Sequence, residues 1–298
     1  MKELIVISGK GGTGKTSVLS CFAALAENPV LADCDVDASD LHLILKPEII
    51  HSHDFSGGNR AEIQPEKCTA CGTCHEICRF DAVHHRKTAH GKTIFAIDPI
   101  ACEGCGVCAH FCPAQAVSFK PAVNGQWFIS KTRFGLMVHA RLGVAEENSG
   151  KLVSLVRQQA RKIAQDQGRE LILVDGPPGM GCPVIASISG ANLVLAVTEP
   201  TLSGLHDLER VIELARHFDV PLMISVNKWD INPSIAGRIE EQASRAGAAV
   251  ASRIPYDPAV TRAQIQMQAV VEYADTPAAQ EIRKLWKEVL ISLSKNNA

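Results

Sequence analysis

The eight residues Gly9-Lys10-Gly11-Gly12-Thr13-Gly14-Lys15-Thr16 constrain this chain more than any other stretch. They satisfy G-x-x-x-x-G-K-[ST] and stand between an apolar run, 3–7, and a segment, 16–26, whose Val18, Leu19, Phe22, Ala23 and Leu25 fit one buried helix face. Strand, glycine-rich loop and helix in that order build a phosphate cradle. Glycines let backbone N–H groups approach phosphate oxygens, and the helix N-terminus adds favourable partial charge. Lys15 is positioned to neutralise the β/γ-phosphates and Thr16 to ligate Mg2+, with Gly11, Gly12, Thr13, Gly14 and Ser17 completing the expected ATP/ADP contact. A glycine-rich turn matching by chance is the bland alternative; it does not account for the placement.

Further short apolar runs at 30–32, 171–174, 193–197 and 222–226 alternate with helical stretches such as 205–217, which predicts an α/β fold with a parallel sheet covered on both faces. Acidic residues follow two of these runs: Asp33, Asp35 and Asp37 after the first, Asp175 after the second. Carboxylates at strand C-termini are where ligands sit in open parallel sheets. Residues 127–141 read as a hairpin around Phe134 and Gly135, Asn148 or Ser149 as the cap of a helix reaching about 167, and 277–294 as a closing helix.

Eleven cysteines are present, and eight fall in two runs, Cys68-x2-Cys71-x2-Cys74-x3-Cys78 and Cys102-x2-Cys105-x2-Cys108-x3-Cys112-Pro113. Tandem runs of this spacing resemble the bacterial-type two-cluster ferredoxin, in which the fourth cysteine of each run ligates the other cluster. That resemblance implies two [4Fe-4S] clusters, one on Cys68, Cys71, Cys74 and Cys112, the other on Cys102, Cys105, Cys108 and Cys78. Zinc sites or disulfides are the alternatives, but zinc knuckles pair two separated C-x2-C elements. The first run carries Arg79 where the second has Pro113. Because the strand pattern stops where the cysteines cluster, the expected layout is a P-loop domain at 1–60 and 122–298 with a small α+β ferredoxin-like insertion at 61–121.

Lys10 extends the phosphate loop to KGGTGKT, which resembles the deviant Walker A motif of the MinD/Mrp/ParA ATPases, relatives of the nitrogenase iron protein. In that family the early lysine reaches the nucleotide of the facing subunit, which implies a nucleotide-dependent homodimer. Ala32-Asp33-Cys34-Asp35-Val36-Asp37 looks like the family's switch I and Val174-Asp175-Gly176-Pro177-Pro178-Gly179 like its Walker B and switch II. The resemblance assigns Asp35 to orienting the attacking water and Asp175 to holding Mg2+ through water. Asp33 and Asp37 are metal-shell residues or loop-capping acids. It further implies that Asn227 reads adenine and that the loop of Pro255 flanks the base. Cys182 lies seven residues after Asp175, where the nitrogenase iron protein carries a cluster ligand; a functional thiol and a small buried side chain are both open. Cys21 and Cys34 read as packing residues.

A net charge of -2 predicts no broad attraction to nucleic acid or anionic membrane, and no apolar run nears the roughly 20 residues of a membrane-spanning helix. With no signal-peptide layout and with ligand-spaced thiols, a cytoplasmic location is expected. His51, His53, His84, His85 and His90 read as solvated loop residues. The resulting expectation is a Mg-dependent ATPase that couples nucleotide state to electron transfer with a redox partner protein. An Mrp-type cluster carrier serving an acceptor protein and a MinD-like positioning ATPase are the alternatives.

Overall fold

The computed structural model describes residues 1–87, 91, 93–143 and 149–295. Among them the strands are β1 Lys2–Ser8, β2 Val30–Asp33, β3 Glu48–Phe55, β4 Gly58–Ile63, β5 Val83–Lys87, β6 Thr93–Ile97, β7 Val117–Ala122, β8 Gly125–Lys131, β9 Leu136–Leu142, β10 Leu171–Pro178, β11 Leu193–Thr198, β12 Leu222–Asn227 and β13 Ala249–Ile254. Nine of these form one sheet in the order β13-β12-β11-β1-β10-β2-β9-β8-β3. From β13 to β9 every pairing is parallel, so the segment from Leu4 to Ile7 of β1, buried on both faces, reads as an unbroken apolar run. The structure is therefore an α/β parallel-sheet P-loop fold.

Local signals set the helix ends. Gly14, at φ 95°, turns the chain into the helix Lys15–Leu25, which buries Val18, Leu19 and Phe22. The Ser149 side chain accepts from the Leu152 N–H at 3.3 Å and caps the helix Gly150–Asp166; Asn148, the other candidate cap, lies outside the described residues. The closing helix Pro277–Lys295 buries Ile282, Leu285, Trp286 and Val289, and Trp286 meets Phe22 with ring centroids 4.9 Å apart.

The chain divides into two compact units. The first comprises Met1–His53, Trp127–Leu142 and the residues from 149 onward. The second is Asp54–Gln126 with Gly143, wider at both ends than the stretch 61–121. The reason is a stem: β4 pairs antiparallel with β7 from Gly58↔Ala122 to Ile63↔Val117. Within this unit β5 and β6 form a second antiparallel pair, and Ile63, Val83, Ile94, Phe95 and Ala116 make a small core with Cys68, Cys74 and Cys108.

Four histidine assignments change. His51 and His53 lie on β3, the edge strand of the large sheet, and His84 and His85 lie on β5, not in loops; His90 is outside the described residues. Both strands are nearly all exposed, so neither shows the apolar pattern that marks a buried strand.

Candidate functional site

At the C-terminal ends of β1, β2, β12 and β13 a cavity of about 310 Å3 is lined by the phosphate loop from Gly11 to Ser17, by Asp35, and by Asn227, Pro255 and Tyr256. The strand ends bring together Lys15, Thr16, Asp35 and Asp175. Lys15 Nζ donates to Asp35 Oδ2 at 2.8 Å and to Asp175 Oδ1 at 3.0 Å, and Thr16 Oγ1 donates to Asp175 Oδ2 at 2.7 Å. All but Thr16 are buried. Burial works against the lysine charge, but Asp175 and Asp35 outweigh it and hold Lys15 above the usual lysine range.

Asp33 is a third buried carboxylate. It accepts from Ser39 Oγ at 2.6 Å and from the Asp35 N–H at 3.1 Å. Burial, then the neighbouring Asp175, pushes Asp33 up to about 8, and burial raises Asp175 as well despite Lys15. One lysine thus faces three carboxylates. Asp35 Oδ1 and Thr13 Oγ1 are buried without a hydrogen-bond partner among the described residues. An orphaned carboxylate oxygen beside a hydroxyl–carboxylate pair is a donor set suited to a hydrated Mg2+. Asp37 is exposed.

Asn227 spans the cavity. Its Nδ2 donates to the Thr13 carbonyl at 2.7 Å and its Oδ1 accepts from the Lys228 N–H at 3.0 Å, so the amide grips the phosphate loop and the adjoining backbone. A Cβ on Gly14 would lie 2.3 Å from Asn227 Nδ2, a second reason besides its φ for glycine there.

Lys10 turns away from this cavity. Its Nζ meets Glu199 Oε1 at 2.7 Å, Ser203 Oγ at 3.0 Å and Thr201 Oγ1 at 3.2 Å. Glu199 also takes Lys228 Nζ at 3.4 Å, and Lys228 donates to the Gly12 carbonyl at 3.2 Å. Partial burial opposes the Glu199 charge, yet hydrogen bonding from Lys10 and the charges of both lysines hold it below the usual range. None of Glu199, Lys228 and Gln264, whose Nε2 donates to Ser17 Oγ at 2.9 Å, has a site role assigned from sequence. Lys228 had a signal, adjacency to Asn227; Gln264 had none.

In the second unit the thiols fall into two groups. Cys68, Cys71, Cys74 and Cys112 line one pocket of about 20 Å3, and Cys78, Cys102, Cys105 and Cys108 line another of about 630 Å3. Backbone N–H groups of Ala70 and Ala116 donate to the sulfurs of Cys68 and Cys112 at 3.4 and 3.3 Å. Burial, then Cys108, pushes Cys74 up to about 11; burial, then Cys102 and Cys105, raises Cys108; the Thr73 hydroxyl lowers Cys71. Among the described residues no three His, Cys, Asp or Glu side chains converge to hold a metal ion. A single tetrahedral zinc would need sulfurs about 3.8 Å apart, following from Zn–S bonds of about 2.3 Å, whereas a cubane spreads its thiolates around a cage. Cys21 and Cys34 are buried; Cys182 is exposed at the start of the helix Cys182–Ile188, so of the two readings open for it the small buried side chain does not hold.

Similarity to known proteins bears on the nucleotide site. The uncharacterized protein MJ0578 of Methanocaldococcus jannaschii is 35% identical over 239 residues, covering 77% of this chain and 79% of that one. The uncharacterized protein MJ0579 of the same organism is 25% identical over 283 residues, 92% of this chain and 94% of its own. Among solved structures, the septum site-determining protein MinD of Pyrococcus horikoshii, complexed with Mg-ADP, superposes with TM-score 0.57 at 16% identity over 97% of this chain and 95% of that one. The cell division ATPase MinD of Pyrococcus furiosus does so with TM-score 0.56 at 17% identity, over 97% and 98%. These two show a shared fold. Among the described residues no helix is long and apolar enough to cross a membrane. Residues 4–270 match the CobQ/CobB/MinD/ParA nucleotide-binding domain, and with the phosphate loop and Asp35 lining one cavity and Asp175 bonded to Lys15 and Thr16 of that loop, the chain belongs to that family.

Proposed function

We propose that this chain is a Mg-dependent ATPase whose nucleotide state governs electron transfer through an inserted ferredoxin-like module with two [4Fe-4S] clusters. The observation that carries the proposal is the crossed sorting of the thiols: Cys112 joins Cys68, Cys71 and Cys74, while Cys78 joins Cys102, Cys105 and Cys108. Sequence order alone would group each run with its own fourth cysteine. The donor chemistry fits, since each group offers four thiols and the first also has backbone N–H groups aimed at sulfur. When bound, such clusters supply one-electron exchange. The chain's own part is to ligate them and, through those N–H groups, to stabilise sulfur's negative charge.

At the nucleotide, backbone N–H groups of Gly11 to Thr16 hold the phosphates and Lys15 shifts from its carboxylate partners to the β/γ-phosphates. Thr16 would ligate Mg2+ and Asp175 would hold it through water, Asp35 would orient the attacking water, Asn227 would read adenine and the loop of Pro255 would flank the base. Lys10 reaches the nucleotide of a second copy, leaving Glu199 as it does so. The switch segments give a two-state element that a neighbouring module can follow.

The test is anaerobic. Reconstituted protein should carry about eight irons per chain, bind ATP, and reduce an acceptor at rates that differ between ATP, ADP and no nucleotide. Equal rates in all three would sink the coupling; neither iron nor adenine nucleotide bound would sink the whole proposal. The exposure of Cys182, Cys71 and Cys105 favours cluster donation to an acceptor protein as the second function. Transfer of visible absorbance to an apo-acceptor separates it from electron transfer.

A further inference from the structure

Charge in the second unit is segregated. Between Ala82 and Ile97 the chain has Arg86, Lys87 and Lys92 with three histidines, and no Asp or Glu. The remainder of 54–126 has seven Asp or Glu against four Lys or Arg. Within this stretch β5 and β6 pair antiparallel, with Val83 opposite Ile97 and Lys87 opposite Thr93, and His84, His85, Arg86 and Lys87 are all exposed. A merely solvated hairpin would need no such separation of sign, since alternating charges solubilise as well.

The hairpin is also anchored to one thiol group. His75, the neighbour of Cys74, donates from Nδ1 to the Val83 carbonyl at 2.6 Å. Phe95 of β6 stacks on His75 at 5.7 Å, meets His85 at 4.5 Å, and lines the pocket of Cys68, Cys71, Cys74 and Cys112. Lys87 lies two residues beyond His85 on the same strand face, about 7 Å along the strand from the residue that touches Phe95, and Arg86 stands between them on the opposite face. Cys71 of that group is exposed.

We propose that the β5–β6 hairpin docks the acidic face of a protein electron carrier over the Cys68/Cys71/Cys74/Cys112 group. This rests on the iron-sulfur function proposed above. Opposite charges steer such encounters and fix their orientation, and a short basic hairpin matches a compact acidic patch on a protein better than the long phosphate stripe of a duplex.

A flavodoxin serves as the acidic probe, with full-length protein whose iron content and visible spectrum are recorded before it is added. At ionic strength about 0.01 M, where charges act over about 30 Å, zero-length carbodiimide coupling followed by peptide mass spectrometry should join Lys87 to flavodoxin carboxylates. The double variant Arg86→Glu/Lys87→Glu should bind flavodoxin at least about tenfold more weakly while retaining wild-type iron content and visible spectrum, which report that the unit carrying the hairpin is folded. Cross-links confined to lysines elsewhere, or unchanged binding by the variant, would overturn the docking site while the iron content stands. Tighter binding of a random-sequence DNA duplex, lost in the same variant, would overturn a protein as the occupant. A sample without iron would overturn the underlying function, and the docking proposal with it.

Discussion

Asp35 and Asp33 sit two residues apart and are set by their surroundings for different work. Asp35 accepts from Lys15 with one oxygen and leaves the other without a partner, the arrangement expected of a carboxylate that holds a water. Asp35→Asn should therefore leave ATP affinity within a few-fold of wild type and lower phosphate release by about 10² or more, the range for losing a positioned acid–base group. Asp33, pushed up to about 8 against an ordinary 3.8, keeps a proton in the folded chain that the unfolded chain releases. Its contribution to stability is thus complete below about pH 4 and is lost as pH rises through about 8. Urea midpoints measured across that window should fall with pH in the wild type and slope less in Asp33→Asn.

Elements hold these residues through their ends. The helix Lys15–Leu25 can begin where it does because Gly14 is left-handed and because no side chain intrudes on Asn227. Gly14→Ala should cost about 1–3 kcal/mol from backbone strain and, by displacing Asn227, weaken ATP binding more than tenfold by calorimetry. The helix Cys182–Ile188, which follows β10 and Asp175, is held at its far end by Arg157. That guanidinium donates to the Ala186 carbonyl at 2.6 Å and the Ser189 carbonyl at 3.0 Å, and pairs in a buried bidentate bond with Glu3 of β1 at 2.8 Å. Arg157→Ala would take from buried Glu3 its bidentate partner and leave two helix-end carbonyls without their donor. With Arg161 still reaching Glu3, destabilisation of about 3 kcal/mol is expected in denaturant titration.

Across the molecule, nucleotide and thiol chemistry belong to separate compact units joined in one chain. Each unit has its own core: the large one includes Leu4, Val6, Leu19 and Phe22, and the small one is built around Ile63, Val83 and Phe95. A lesion in the small core should leave the large one folded. Cys112→Ser should reduce iron from about eight to about four per chain, measured by colorimetric iron assay, with ATP affinity unchanged. Loss of all iron would mean that the two thiol groups fold as one.

The phosphate loop, the strand alternation and the cysteine spacing were readable from residue types alone, because each is a local rule: where glycine must bend, where an apolar run must be buried on both sides, how far one thiol lies from the next. The nearly all-exposed β3 and β5 showed no such pattern, and their pairing came from the chain folding back on itself. Which carboxylates would share Lys15, where Lys10 would turn, and that Asn227 would bond to the Thr13 carbonyl all depended on residues far apart in sequence meeting at the ends of adjacent strands. Burial then set their protonation. Spacing names the donors, but desolvation and the neighbouring charges that govern their chemistry exist only once the sheet has assembled.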